Sequence, residues 1–115
     1  MYKKVLILAA LILGPYLACA DTFTPGVETT IYRVDSYNNG AAEGDIRILV
    51  LKTVSGCESG YFLEGTNKGI DRTLSTALSA FHTNSTVIIG GRSGVSWGGS
   101  GSDTYCRVHA ISVVK

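Results

Sequence analysis

The stretch GGRSGVSWGGSGS, Gly90 to Ser102, surrounds the chain's single tryptophan, Trp97, with glycine and serine, and Arg92, Ser96 and the following Asp103 are its polar neighbours. Three chemistries use such a segment. A phosphate cradle needs glycine amides that open a helix, usually with Gly-Lys-Ser/Thr, and this stretch has no lysine and lies between two strand-like segments. A hydrolase elbow needs Gly-x-Ser-x-Gly between a strand and a helix, and Ser93 and Ser100 each lack one of the two glycines. Sugar recognition needs less: an indole stacks on a sugar face and donates one hydrogen bond. An indole in a polar loop either folds back onto its own domain or is offered to a ligand. The ligand reading makes Trp97 the stacking residue, with Arg92, Ser96 and Asp103 as polar contacts, and makes Tyr37 with Asn38 and Asn39 a second candidate patch.

The remaining reactive residue types form no catalytic pattern. Asp35, Glu43, Asp45, Glu58 and Glu64 are scattered, and nothing in their spacing pairs two of them as glycoside hydrolysis requires. His82 and His109 are the only histidines; neither is tied to a nucleophile or stands at metal-ligand spacing from a cysteine. Asn84-Ser85-Thr86 matches a glycosylation acceptor, which matters only on a eukaryotic secretory route. No enzymatic activity, cofactor or metal is expected.

Residues 1–20 read as a secretory signal peptide. Lys3 and Lys4 precede a compact apolar run, and Ala18-Cys19-Ala20 supplies small residues for cleavage before Asp21. Gly14-Pro15 interrupts the run, which is too short for a good membrane span. A lipid anchor on Cys19 is the minor alternative, with Tyr16 poorly suited to it. Removing this segment leaves one 95-residue domain, 21–115, with eight basic against nine acidic side chains, a net charge of −1. That balance does not favour nucleic acid or an acidic membrane. Cys57 and Cys106 remain, and two cysteines in an exported chain imply a disulfide. The loop it closes contributes roughly 3–4 kcal/mol in the chain-entropy model.

The elements that must carry these residues follow from periodicity. Val27 to Tyr37 and Asp45 to Val54 alternate as strands, with Asn39-Gly40 in the turn between them. In the second of these, Leu49 and Leu51 add an apolar second face, so cover on both sides is expected. Tyr61 to Leu63 is a short third strand. Ile70, Leu74, Ala77, Leu78 and Phe81 then fall on one helical face, with Thr66 or Asn67 as N-cap and Asn84 as the left-handed stop. Ser85 to Gly91 and Asp103 to Lys115 are the last two strands. Three strands, a helix and two strands is the order of a five-stranded OB-fold barrel, in which the third and fifth strands are neighbours. The two cysteines sit at the starts of those strands, and the helix plugs one end with Leu74, Leu78 and Phe81.

The segment "LSTALSAFHTNSTVIIGG" resembles the B subunits of bacterial A–B toxins of the subtilase-cytotoxin type, through Ala77-Leu78, Phe81, Thr83, Val87 and Ile89. The layout "C…GYFL…W…YCRVHAISV" is also similar to small uncharacterised secreted bacterial proteins, a likeness that brings no activity. The toxin resemblance implies an OB-fold, a ring of five subunits and glycan binding, and carries no sugar-contacting residue to this chain. The resulting expectation is an exported, disulfide-bonded OB-like barrel that binds carbohydrate. The alternative is a periplasmic or envelope module that binds or inhibits a protein partner.

Overall fold

The computed structural model describes residues 21–101 and 104–115. The signal-peptide segment, Cys19 and Asp103 lie outside the described residues. Six strands and one helix run in the order β1 (Thr22–Thr24), β2 (Ile31–Ser36), β3 (Ile46–Val50), β4 (Gly60–Leu63), α1 (Ile70–Thr83), β5 (Thr86–Ser93) and β6 (Tyr105–Val114). They form one mixed sheet in the order β1-β5-β6-β4-β3-β2. Every pairing is antiparallel except β4 with β6.

Two expectations need correction. The strands number six rather than five, because Thr22–Thr24 joins the edge of β5. Three residues ahead of Pro25 carry too short a pattern to register as a strand. The sheet is also not closed into a barrel. It curls far enough for one isolated bridge, Thr29 to Val87, with N–H···O distances of 2.9 and 2.8 Å.

One face of the sheet holds the main core. Ile31, Ile46, Ile48, Val50, Tyr61, Leu63, Val87, Ile89 and Val108 meet Ala77 and Ala80 of α1, with Ile70, Leu74 and Phe81 packed around them. This is the period-two alternation of half-buried strands against one stripe of a helix. The Cys57–Cys106 disulfide lies in the same core, both residues fully buried, with Cα atoms 5.2 Å apart. It ties the turn before β4 to β6, and points to an oxidising, non-cytoplasmic compartment. Gly91 faces this bridge: a Cβ there would lie 2.8 Å from the Cβ of Cys106.

The strand covered on both faces is β4 rather than β3. Gly60, Tyr61, Phe62 and Leu63 are all buried, whereas Leu51 lies beyond the end of β3 and is 69% exposed. The helix begins without the expected side-chain cap. Gly69 is the N-cap, and Asn67 accepts the Gly69 N–H at 2.8 Å in a turn just before it. At the other end Asn84 adopts the left-handed conformation (φ 51°) expected of a C-terminal stop.

Candidate functional site

The face of the sheet opposite the core carries one continuous row of side chains. Successive register pairs run Phe23–Arg92, Arg92–Arg107, Arg107–Phe62, Phe62–Arg47 and Arg47–Asp35, one residue from each of the six strands. Residues directly opposite across a ladder project from the same face. Three arginines, two phenylalanines and one aspartate therefore line up across the sheet.

Trp97 divides this row. The glycine-rich stretch begins as the last residues of β5, then folds back from Gly94 so that the indole stacks on Phe62, with ring centroids 5.1 Å apart and planes 10° from parallel. Tyr37 and Tyr105 meet the indole edge-on at 5.5 and 5.0 Å. Its Nε1–H donates to Asp45 Oδ2 at 2.8 Å, and Asp45 Oδ1 accepts the Gly65 N–H at 2.9 Å. Trp97 is only 4% exposed and, with Phe62 and Ala42, forms a second small core. Glycine is required for so close an approach: a Cβ at Gly98 would lie 2.6 Å from the Ala41 carbonyl oxygen, and one at Gly99 would run into the indole. Trp97 is thus a packing residue in this conformation, and its ring faces are not presented to a ligand.

The other expected site residues separate. Tyr37 belongs to the Trp97 cluster, half-buried. Asn39 caps the short 3-10 turn at Gly40–Ala42, its side chain accepting the Gly40 N–H at 2.7 Å. Ser96 is exposed on the loop, and Asp103 lies outside the described residues. Arg92 stands two strands from Phe62, about 10 Å along the sheet at the usual strand spacing.

The two ends of the row differ. At the β2–β3 end, Arg47 is closed off by Asp35, at 2.7 Å through Nε and 2.6 Å through Nη2, and by the Tyr105 hydroxyl at 3.3 Å. Arg33 adds a second contact to Asp35 at 3.0 Å. Burial alone would raise the Asp35 pKa, but hydrogen bonds and charge from Arg47 and Arg33 outweigh it and hold the carboxyl below its ordinary value. Burial likewise opposes the charge on Arg47, and its bonds to Asp35 and Tyr105 win there too, raising the guanidinium pKa.

At the β1–β5–β6 end the row stays open. Asp21, Glu64, Thr66, Asn67, Arg92, Arg107, Val108 and His109 line a cleft of ≈ 520 Å³. It continues into a recess of ≈ 160 Å³ beside Gly69, Ile70 and Thr73 at the start of α1. Arg107 reaches Asp21 at 2.9 Å and Glu64 at 3.5 Å. Arg92 donates to His109 Nδ1 at 3.3 Å and stands 3.9 Å from Asp21. Phe23, 47% exposed, meets His109 edge-on at 5.1 Å and lies under the Arg92 guanidinium at 5.8 Å. A smaller cleft of ≈ 270 Å³ near the Thr29–Val87 bridge, between Glu28, Leu51, Lys52 and Thr86, has no aromatic ring in its lining.

Of the expected site residues that are described, only Arg92 lies in the polar cleft. Arg107 and His109 had a sequence signal: they alternate with Cys106 and Val108, so a strand that buries the latter pair turns the former outward. Phe23, and Asp21 just before it, had none, because β1 was not legible. Among the described residues no group of three His, Cys, Asp or Glu is placed to hold a metal, and no helix is long and apolar enough to cross a membrane. No protein-family model matches the chain, and no curated protein or solved structure matches it either.

Proposed function

We propose that this is an exported, non-enzymatic binding module with an OB-like strand plan, and that it binds carbohydrate in the cleft between β1, β5 and β6. The observation that carries the reading is the open end of the cross-sheet row. The cleft sets two planar guanidiniums and an imidazole beside the Asn67 amide and the Thr66 hydroxyl, and an exposed ring, Phe23, meets two of these groups, His109 and Arg92. Sugars present apolar faces and dense hydroxyl edges, and such mixed surfaces recognise them. The acidic groups of the cleft, Asp21 and Glu64, are engaged by arginine, an arrangement suited to orienting side chains rather than transferring protons.

Support for the OB-like plan comes from connectivity. With β1 set aside, the sheet order is β2-β3-β4-β6-β5, a helix joins β4 to β5, and Thr29 bridges the approach to β2 onto β5. A ring of subunits rests on the toxin-subunit resemblance alone. The competing reading is a protein-interaction module, favoured by exposed Val27, Tyr32, Leu51 and Val113.

A broad glycan array probed with the oxidised domain 21–115 tests the proposal. Selective binding that is lost in Arg107→Ala and kept in Trp97→Phe supports it. Binding that survives Arg107→Ala moves the site elsewhere, and a blank from a folded sample favours the protein partner.

A further inference from the structure

Arg92 and Arg107 are direct cross-strand partners, so two like charges face each other on neighbouring strands. Opposed like charges destabilise a sheet unless an anion lies between them. Here the anion is Asp21, and it serves the two arginines unequally, at 2.9 Å to Arg107 and 3.9 Å to Arg92. Glu64 occupies another nitrogen of Arg107, at 3.5 Å. Arg92 also donates to His109 Nδ1 at 3.3 Å. A planar carboxylate offers two oxygens in one plane and satisfies one fork well. A third oxygen out of that plane would reach the second fork.

Asp21 is also held lightly. Its side chain is 48% exposed, and it precedes a strand of only three residues at the sheet edge. The groups around it are Arg92, Arg107, Glu64, His109, Thr66 and Asn67, with enough open volume for a larger anion.

We infer that the cleft binds a tetrahedral oxyanion, a phosphate or sulfate ester carried on the ligand, and that Asp21 is its built-in competitor. The incoming group displaces the Asp21 carboxylate and bridges Arg92 and Arg107 together. The displaced Asp21 carboxylate stays tethered beside the cleft, so its charge opposes the incoming anion while the two arginines attract it. The inference rests on the carbohydrate reading only for the carrier: the ligand is then a phosphorylated or sulfated glycan.

Calorimetric titration of the oxidised domain 21–115 with inorganic sulfate and inorganic phosphate, against chloride at matched ionic strength, tests this. Asp21→Asn is expected to tighten binding by about tenfold, through loss of the competitor and of its repulsion. Arg92→Ala and Arg107→Ala are expected to weaken it by at least about tenfold. Arg107→Lys keeps the charge without the fork and is expected to recover only part of the loss, with a near-ultraviolet spectrum like that of the parent. Absence of saturable binding in both the parent and Asp21→Asn overturns the inference, as does binding indifferent to Asp21 and Arg92. Sulfate binding with an empty glycan array keeps the oxyanion site and removes the carbohydrate carrier. Array binding confined to neutral or carboxylated glycans, without competition by sulfate or phosphate, keeps the carbohydrate reading and overturns the oxyanion site.

Discussion

Replacing Trp97 by alanine removes an indole that is 4% exposed, stacked on Phe62 and hydrogen-bonded to Asp45. Truncating a buried aromatic to alanine costs about 3–5 kcal/mol. The Asp45 carboxylate retains its bond from the Gly65 N–H and is only partly buried, so its unpaired oxygen adds little. A value of about 4 kcal/mol follows. A domain of 95 residues is stable by about 5–14 kcal/mol, so this one side chain carries a large part of the whole. Trp97→Phe keeps a ring over Phe62 but loses the N–H donor and some volume, and is expected to cost about half as much. Urea unfolding of the oxidised domain, followed by far-ultraviolet circular dichroism, measures both losses from the shift in midpoint at constant slope. A Trp97→Ala variant destabilised by less than about 1 kcal/mol would refute the argument, because an indole offered to a ligand costs the fold little when removed.

Other consequences follow from the same contacts. Gly98→Ala sets a Cβ 2.6 Å from the Ala41 carbonyl oxygen, so the loop must lift; a cost of about 1–3 kcal/mol and a red shift in Trp97 fluorescence are expected. Reducing Cys57–Cys106, which are 49 residues apart, is expected to remove about 4 kcal/mol on the chain-entropy account, measured by urea unfolding with and without reductant. Asp35 has a folded-state pKa below its unfolded value, so its contribution is complete above about pH 4 and is lost as pH falls through the lower folded value. Asp35→Asn is therefore expected to flatten the acid limb of the stability profile below about pH 4 while lowering stability at neutral pH. An unchanged acid limb in that variant would contradict the role given to Arg47 and Arg33.

The elements with long, clean periodicity were legible in the sequence. Ile46, Ile48 and Val50 alternate into the core, and Ile70, Leu74, Ala77 and Phe81 trace the helix stripe that meets it, while Leu78, expected on the same stripe, is half-buried and its place at the core is taken by Ala80. What escaped was whatever depended on a distant partner. Thr22–Thr24 is a strand only because Gly91, Arg92 and Ser93 stand opposite it. Leu51 has the composition of a buried residue, yet β3 ends one residue earlier. Phe62 is buried on its outer side because a loop some thirty-five residues later returns to cover it, and local pattern carries no trace of that. The burial of Trp97 was illegible for the same reason. Trp97 draws attention as the lone indole in a polar loop, and its sequestration depends on Phe62, Tyr37 and Asp45, all far away in sequence. The polar cleft is assembled from Asp21 ahead of β1, the turn before α1, β5 and β6, so no single stretch announces it.

In the proposed function, binding belongs to the Arg92–Arg107–His109 cleft rather than to the Trp97 loop. The most direct test compares the oxidised domain 21–115 with its Arg107→Ala variant on one glycan array, after matching near-ultraviolet spectra establish that both are folded. Selective binding by the parent and its loss in the variant are expected. Selective binding of equal strength by both proteins would contradict the proposal.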